Sequence, residues 1–170
     1  VNDSVLLAYA AHAIYAAYWQ VAFEPVDDAA LPTVAAHDVV WLANGYTPAR
    51  KQLGEVLRGI PGVNVGLYGT GWRTPNGNTT YNFAAGAALY RTAKIALGDN
   101  QYPDQRGFVS NRIFEALANG AFLLHQRVDG LEELTGLQAG VHYVEWTTPQ
   151  DLQQKIRYWL NPKHAGKRKA

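Results

Sequence analysis

From Asp38 onward, short apolar runs alternate with longer segments whose apolar residues recur at helical spacing. The runs DVVWLA, NVGLYG, KIALG, AFLLH and HYVEW are typical of strands that are buried on both faces. In the intervening segment TPARKQLGEVLRGI, the residues Leu53, Val56, Leu57 and Ile60 form one apolar stripe. Strands that alternate with helices predict a doubly wound, Rossmann-like parallel sheet in the α/β class, with helices on both faces.

Helix starts are marked by capping residues. Thr47 and Thr148 are predicted N-caps, because each is followed by a proline that suits the first helical position. Further helices are predicted near TTYNFAAGAALYRTA, SNRIFEALANG and LEELTGL, and the last helix is PQDLQQKIRYWL. The stretch between residues 99 and 109 has no clear period and is predicted to be irregular.

The alternation defines one domain over residues 38–162, followed by a basic tail over residues 163–170. Residues 1–37 do not join it and are interpreted as a linker or crossover segment, open to being the tail of a preceding domain. Their apolar stretch VLLAYAAHAIYAAYW has no basic lead-in and is interrupted by His12, so we expect neither a signal peptide nor a membrane span. The start at Val1, without methionine, indicates a fragment or a processed product.

Composition excludes several chemistries. The 170 residues include no cysteine, which excludes disulfides, thiolate metal sites and a cysteine nucleophile, and fits a cytoplasmic protein. The five histidines show no metal-ligand spacing, so no metal site is expected. The basic residues of the tail have no interleaved aromatics, which favours a solvated terminus over a nucleic-acid surface.

Three predicted loops follow strands at the same edge of the sheet, over residues 44–50, 69–78 and 99–111. Ligands of parallel sheets bind beyond the carboxyl ends of the strands, and these loops are rich in glycine and small polar residues. We therefore expect a cleft for a polar, phosphorylated ligand. Helix N-termini at Pro48, Thr80 and Asn111 would present free N–H groups to an anion.

The segment SNRIFEALANG raises the question of what its carboxylate does. At 100° per residue, Glu115 falls on the same side as Asn111 and Arg112, opposite Ile113 and Phe114. One interpretation is a surface ion pair between Arg112 and Glu115. The other is a carboxylate that faces the cleft, where it could accept hydrogen bonds from a vicinal diol such as a ribose.

The chain resembles group 1 glycosyltransferases with the GT-B fold, and in particular their spore-maturation-protein-like branch. The resemblance rests on WLANGYTPAR, LYGTGW, LYRTAKIAL and SNRIFEALANGAFLL, in this order, and on the closing segments DGLEEL and VHYVEWTTPQDLQQKIRYWL. It covers roughly residues 38–160. It implies one half of a GT-B fold, the C-terminal half that binds a nucleoside-diphosphate sugar.

The resemblance also implies roles for individual residues. Glu115 would bind the ribose hydroxyls, and the backbone amides of Ser110 and Asn111 would approach the diphosphate. The loop residues Gly45, Gly69 and Thr70 would line the nucleotide cleft, and Arg50 or Lys51 would neutralise phosphate. Arg106 and Arg112 are further phosphate candidates on charge grounds alone. Trp72 is a candidate for stacking on the base, and His125 is interpreted as packing at a strand end.

The chain departs from the family pattern at Gly107, where a second glutamate often contacts the donor sugar. Asp104 is the residue that could take its place. The resemblance further implies hexosyl transfer without a metal or cofactor, and a missing N-terminal domain that holds the acceptor and the catalytic residues. The fragment alone would then be inactive. The alternative is a non-catalytic Rossmann-like module that binds a nucleotide or a protein.

Overall fold

The computed structural model describes residues 26–72, 82–102 and 104–168. Within these residues lies a five-stranded, wholly parallel sheet. Its strands are β1 (Val39–Leu42), β2 (Val65–Tyr68), β3 (Ile95–Gly98), β4 (Leu123–Gln126) and β5 (Val144–Trp146). Each falls within or next to a predicted strand run. The neighbouring strands β1 and β3 are buried at every position, which requires side chains that tolerate cover on both faces.

The α-helices lie between the strands and after the last one. They are α1 (Pro48–Arg58), α2 (Phe83–Thr92), α3 (Arg112–Ala118), α4 (Leu131–Thr135) and α5 (Pro149–Leu160). Both predicted threonine caps are confirmed: the hydroxyl of Thr47 accepts from the N–H of Arg50, and that of Thr148 accepts from the N–H of Asp151. In the described structure Asn82 is the N-cap of α2, where its Oδ1 accepts from the N–H of Ala85, and the predicted helix start at Thr80 lies outside the described residues.

The strand order is β2-β1-β3-β4-β5. The chain moves from β1 to one side to form β2, then crosses to the other side of β1 to form β3. The loops after β1 and β3 therefore diverge at their carboxyl ends. This divergence is the topological switch point at which open parallel sheets bind their ligands.

Two apolar layers hold the helices against the sheet. Val39 and Trp41 face the layer that includes Leu57 of α1 and Ile156 of α5. Val40 and Leu42 face the opposite layer, which includes Leu89 of α2, Ile113 of α3 and Leu131 of α4. The prediction of helices on both faces is confirmed.

No helix in the described ranges is long and apolar enough to span a membrane. Of the segment preceding the domain, residues 26–37 carry a single short 3-10 turn at Asp28–Ala30. The apolar stretch discussed above lies outside the described residues, and the boundaries predicted for the linker and the tail stay predictions.

Candidate functional site

A cleft of ≈ 450 Å³ opens at the carboxyl edge of the sheet, between α2 and α3. It also reaches the loops that follow β1 and β2, so three consecutive crossover units contribute to it. Its lining comprises Val26, Asn44, Gly69, Thr70, Asn82, Phe83, Gly86, Ala87, Tyr90, Asn111, Arg112, Glu115 and Asn119. Five of the ten predicted site residues belong to this lining: Gly69, Thr70, Asn111, Arg112 and Glu115.

The two helical walls of the cleft differ in chemistry. On α2, Phe83, Gly86, Ala87 and Tyr90 recur at spacings of three, one and three, which places them on one face of the helix. The α3 wall is polar and consists of Asn111, Arg112, Glu115 and Asn119. A ligand in this cleft therefore meets carbon on one side and hydrogen-bonding groups on the other.

Glu115 is the acidic residue of the polar wall. Its Oε1 accepts a hydrogen bond of 2.7 Å from Nδ2 of Asn111, one turn earlier. Burial raises the pKa of this carboxyl, and the charge of Arg112 opposes that shift. Because a carboxylate has about four acceptor positions, Asn111 orients the group and leaves most of its capacity to a ligand.

Arg112 does not form the surface ion pair considered above. Its Nη1 donates to the hydroxyl of Ser110 at 3.0 Å, and no ion pair or hydrogen bond joins it to Glu115 in the described structure. Ser110 is buried and lies beside the cleft without lining it. The Ser110 hydroxyl thus orients the Arg112 guanidinium at the N-terminal end of α3. Arg112 is the only cationic residue among the described residues that line the cleft.

The loops after β1 and β2 are joined through Asn44 and Thr70. Oδ1 of Asn44 accepts from the N–H of Thr70 at 3.0 Å and from its hydroxyl at 3.3 Å, and the Thr70 hydroxyl also bonds to that of Tyr46. Gly45 lies behind this contact, where its N–H donates to the Thr70 carbonyl at 2.8 Å. A side chain at Gly45 would collide with the ring of Trp72, which explains the glycine. Gly45 supports the cleft and does not line it.

Arg50 is buried away from the cleft lining. Its Nε donates to Oδ2 of Asp99 at 2.6 Å, and its Nη1 donates to the carbonyl of Asn44 at 3.2 Å. Asp99 also accepts from Nε1 of Trp41 at 3.0 Å. The guanidinium therefore neutralises a carboxylate of the protein and holds the loop after β1. Lys51, its neighbour in the resemblance, is exposed and also lies outside the lining.

Arg106 and Asp104 are exposed and lie outside the cleft lining. Arg106 faces Glu133 across 3.6 Å, at the start of α4. Gly107, where the family pattern has its second glutamate, has φ 71° and donates its N–H to the carbonyl of Asp129 at 2.9 Å. A glutamate would be strained in this left-handed conformation, so the departure from the pattern has a backbone cause.

Trp72, the candidate for stacking on a base, is packed inside the domain. Its ring is 5% exposed, its Nε1 donates to the carbonyl of Ala43 at 2.6 Å, and it packs against Trp41. The packing interpretation of His125 agrees with the structure. This histidine is fully buried against Gly98 and Tyr143, its Nδ1 lies 2.7 Å from the carbonyl of Gln126, and burial lowers its pKa.

Sequence reasoning missed the whole α2 wall. The apolar residues of FAAGAALY looked like a core stripe, and several of them do contact the core. No sequence signal separated Phe83 from a core residue, because it falls within the predicted helix and periodicity does not reveal exposure. The amide of Asn82 was also missed; its Oδ1 is used for capping, which leaves Nδ2 for a ligand.

The raised pKa of Glu115 predicts a pH-dependent difference in stability between the protein and Glu115→Gln. The folded state binds the proton more tightly than the unfolded state, so the free energy of unfolding falls as pH rises from the ordinary carboxyl pKa through the raised one. Glutamine keeps an acceptor for Asn111 but does not titrate. We expect the stability of Glu115→Gln relative to the parent to increase across that window and then to stay level to neutral pH.

Urea unfolding at a series of pH values from about 3.5 to 7.5 measures this difference, because all other carboxyls are shared by the two proteins. A difference that does not change with pH would mean that the Glu115 carboxyl is not desolvated in the folded state.

Comparisons with known proteins place this geometry in a wider context. A family model described as glycosyl transferase-like matches residues 50–170. Among solved structures, the chain is similar to an entry entitled "Crystal Structure of alpha1,3-Fucosyltransferase", with a TM-score of 0.58 and 16% sequence identity. The likeness covers 76% of this chain but 35% of the fucosyltransferase chain. No curated protein matches the chain. At this identity the structural likeness concerns the fold, and it confirms the predicted Rossmann-like α/β architecture.

Proposed function

Because the chain belongs to the glycosyl transferase-like family, we propose that it is the donor-binding half of a sugar-nucleotide-dependent hexosyltransferase. The cleft between α2 and α3 holds a nucleoside-diphosphate sugar, and an acceptor-binding domain belongs to a longer chain. The proposal includes the spore-maturation-protein-like branch, a donor site that needs no metal or cofactor, and a domain that transfers nothing alone.

The observation that carries the proposal is the position of Glu115. This carboxylate is half-buried at the switch point of a parallel sheet, it faces an open cleft, and it is oriented by a neutral amide. Arg112 acts on it through its charge, without a direct ion pair, and this does not offset the effect of burial. Burying a carboxylate without an ion-pair partner costs stability. This cost is consistent with a binding role, in which the carboxylate accepts hydrogen bonds from a neutral polyol. The two hydroxyls of a ribose diol can both donate to one carboxylate.

Three further groups at the N-terminal end of α3 suit the diphosphate. In the described structure, neither the N–H of Asn111 nor that of Ser110, which lies beside the cleft lining, donates to a protein group. Arg112 lies at the same end of the cleft and is already oriented by Ser110. Oriented N–H dipoles and a guanidinium stabilise the negative charge that develops on a departing nucleoside diphosphate. In this assignment the domain assists departure of the leaving group, while the acceptor is activated elsewhere.

Glu115→Ala is expected to weaken the binding of a nucleoside diphosphate by about tenfold or more, because hydrogen bonds to a charged acceptor are worth about 1.5–3 kcal/mol. Calorimetry with UDP, GDP, ADP, CDP and dTDP first identifies the tightest ligand. The 2′-deoxy analogue of that ligand, or the ribonucleotide if dTDP binds best, then gives the contribution of the 2′-hydroxyl. This contribution should be present in the parent and absent in Glu115→Ala.

The matched control is Glu55→Ala, which removes an exposed carboxylate of α1 that pairs with Arg58 outside the cleft. Its affinity for the nucleotide should equal that of the parent. If none of the five nucleotides binds at millimolar concentration, the donor-site proposal fails. If one binds and Glu115→Ala binds it equally well, the ribose assignment fails while a nucleotide site survives.

A further inference from the structure

The apolar wall of the cleft contains an unusual side chain. Phe83 is 78% exposed, which makes it the most exposed large apolar side chain in the described part of the chain. It is the first residue of α2, and its backbone is fixed because Asn82 caps the helix immediately before it. An exposed phenylalanine at a helix start gains no free energy of burial. This suggests that an apolar group of a ligand or partner covers the ring in the working protein.

The residues beside Phe83 on the same helical face are small. Gly86 and Ala87 follow at three and four positions, and Tyr90 closes the stripe one turn later. All three line the cleft but are buried, so the Phe83 ring supplies most of the exposed apolar surface of this wall. An exposed aromatic ring at the edge of a cleft suits a planar, hydrophobic-faced group such as a nucleobase.

The opposite wall restricts the orientation of such a group. Glu115, Asn111 and Arg112 present acceptors and donors but no apolar surface comparable to α2. The sugar and phosphates of a nucleotide therefore match α3, and its base matches α2.

On the basis of the proposed function, we propose that Phe83 stacks on the base of the donor nucleotide and that the α2 face behind it is the base platform. Stacking depends on the π-face that every base possesses, so the platform supplies affinity for the nucleoside part of the donor and little for its phosphates. The same substitution should therefore affect ligands with and without a base differently.

Among the five nucleoside diphosphates, the one that binds most tightly should bind Phe83→Ala about tenfold more weakly than the parent. This change lies within the range found when one stacking aromatic side chain is removed. The same variant should bind ribose 5-phosphate, which has no base, with the affinity of the parent. Phe83→Tyr, which keeps the stacking ring, should stay within about twofold of the parent for both ligands.

Two controls separate stacking from damage to the fold. Val141→Ala removes a side chain that is 72% exposed and lies outside the cleft lining, just before β5, so it should leave both affinities unchanged. The far-UV circular dichroism and melting temperature of Phe83→Ala should match those of the parent, because an exposed ring contributes little to packing.

Several outcomes overturn the inference. It is wrong if a nucleoside diphosphate binds and Phe83→Ala binds it within twofold of the parent, in which case Phe83 is covered by something other than the base. It is also wrong if ribose 5-phosphate loses affinity equally, because the ring would then act through the fold. If no nucleotide binds even the parent protein, the proposed function fails and the base platform fails with it.

Discussion

Asp99→Ala is expected to lower the free energy of unfolding by about 3–5 kcal/mol, which is the usual cost of removing one partner from a buried ion pair. Asp99 and Arg50 have side chains that are 5% and 8% exposed. Without the carboxylate, the guanidinium would stay buried and uncompensated, and the indole N–H of Trp41 would lose its acceptor. Nη2 of Arg50 already has no hydrogen-bond partner in the described structure, so the guanidinium would keep only its bond to the Asn44 carbonyl.

Urea unfolding followed by circular dichroism gives the cost as a shift in midpoint at constant m-value. The matched control is Asp129→Ala, which removes the carboxylate of an exposed pair with Arg127 and should cost at most about 1 kcal/mol. Combining Asp99→Leu with Arg50→Met should recover part of the loss, because an apolar pair leaves no buried charge. Equal costs for Asp99→Ala and Asp129→Ala would contradict the role given to the buried pair.

Gly69→Ala is expected to lower the free energy of unfolding by about 2–5 kcal/mol and to weaken nucleotide binding at the same time. Gly69 has φ 121°, and a Cβ at this position would lie 2.4 Å from the carbonyl oxygen of Ala43 and 2.8 Å from Oδ1 of Asn44. The backbone would have to move, and the contact between Asn44 and Thr70 that joins the two loops would be lost with it.

Gly62→Ala is the control for conformational strain alone. Gly62 has φ 72°, but nothing lies within 4 Å of a Cβ built there, so the cost should be about 1–2 kcal/mol without any effect on binding. Unfolding midpoints and nucleotide affinities of both variants separate strain from collision. If Gly69→Ala cost no more than Gly62→Ala, the close approach of the β2 loop to the β1 loop would not matter for stability.

The sheet could be predicted from sequence because each of its strands is a short apolar run between turn residues. VVWL and IALG are buried at every position, which is the pattern that a parallel strand covered on both faces requires. Helix starts were predictable where a threonine precedes a proline. The start of α2 was less clear, since the sequence offers threonine and asparagine as acceptable caps within a few residues of each other.

The candidate site was predictable only in part, for a physical reason. Glu115 could be placed on the polar side of its helix from the 100° periodicity, while the sequence left a surface pair with Arg112 equally open. Arg50 looked equally suitable as a phosphate ligand. The sequence could not show that Asp99, 49 positions later, would take its guanidinium. Phe83 was not recognisable because exposure of an apolar residue depends on what packs nearby, and periodicity does not reveal that.

The placement of β1 has a consequence for how this domain is delimited. The family match begins at residue 50, inside α1, and so excludes β1. Yet β1 pairs with β2 on one side and with β3 on the other, and every residue of it is buried. A polypeptide trimmed to residues 50–170 would separate β2 from the remaining strands and expose two unpaired edges, which invites aggregation. The region that the family model matches is therefore smaller than the sheet that has to fold.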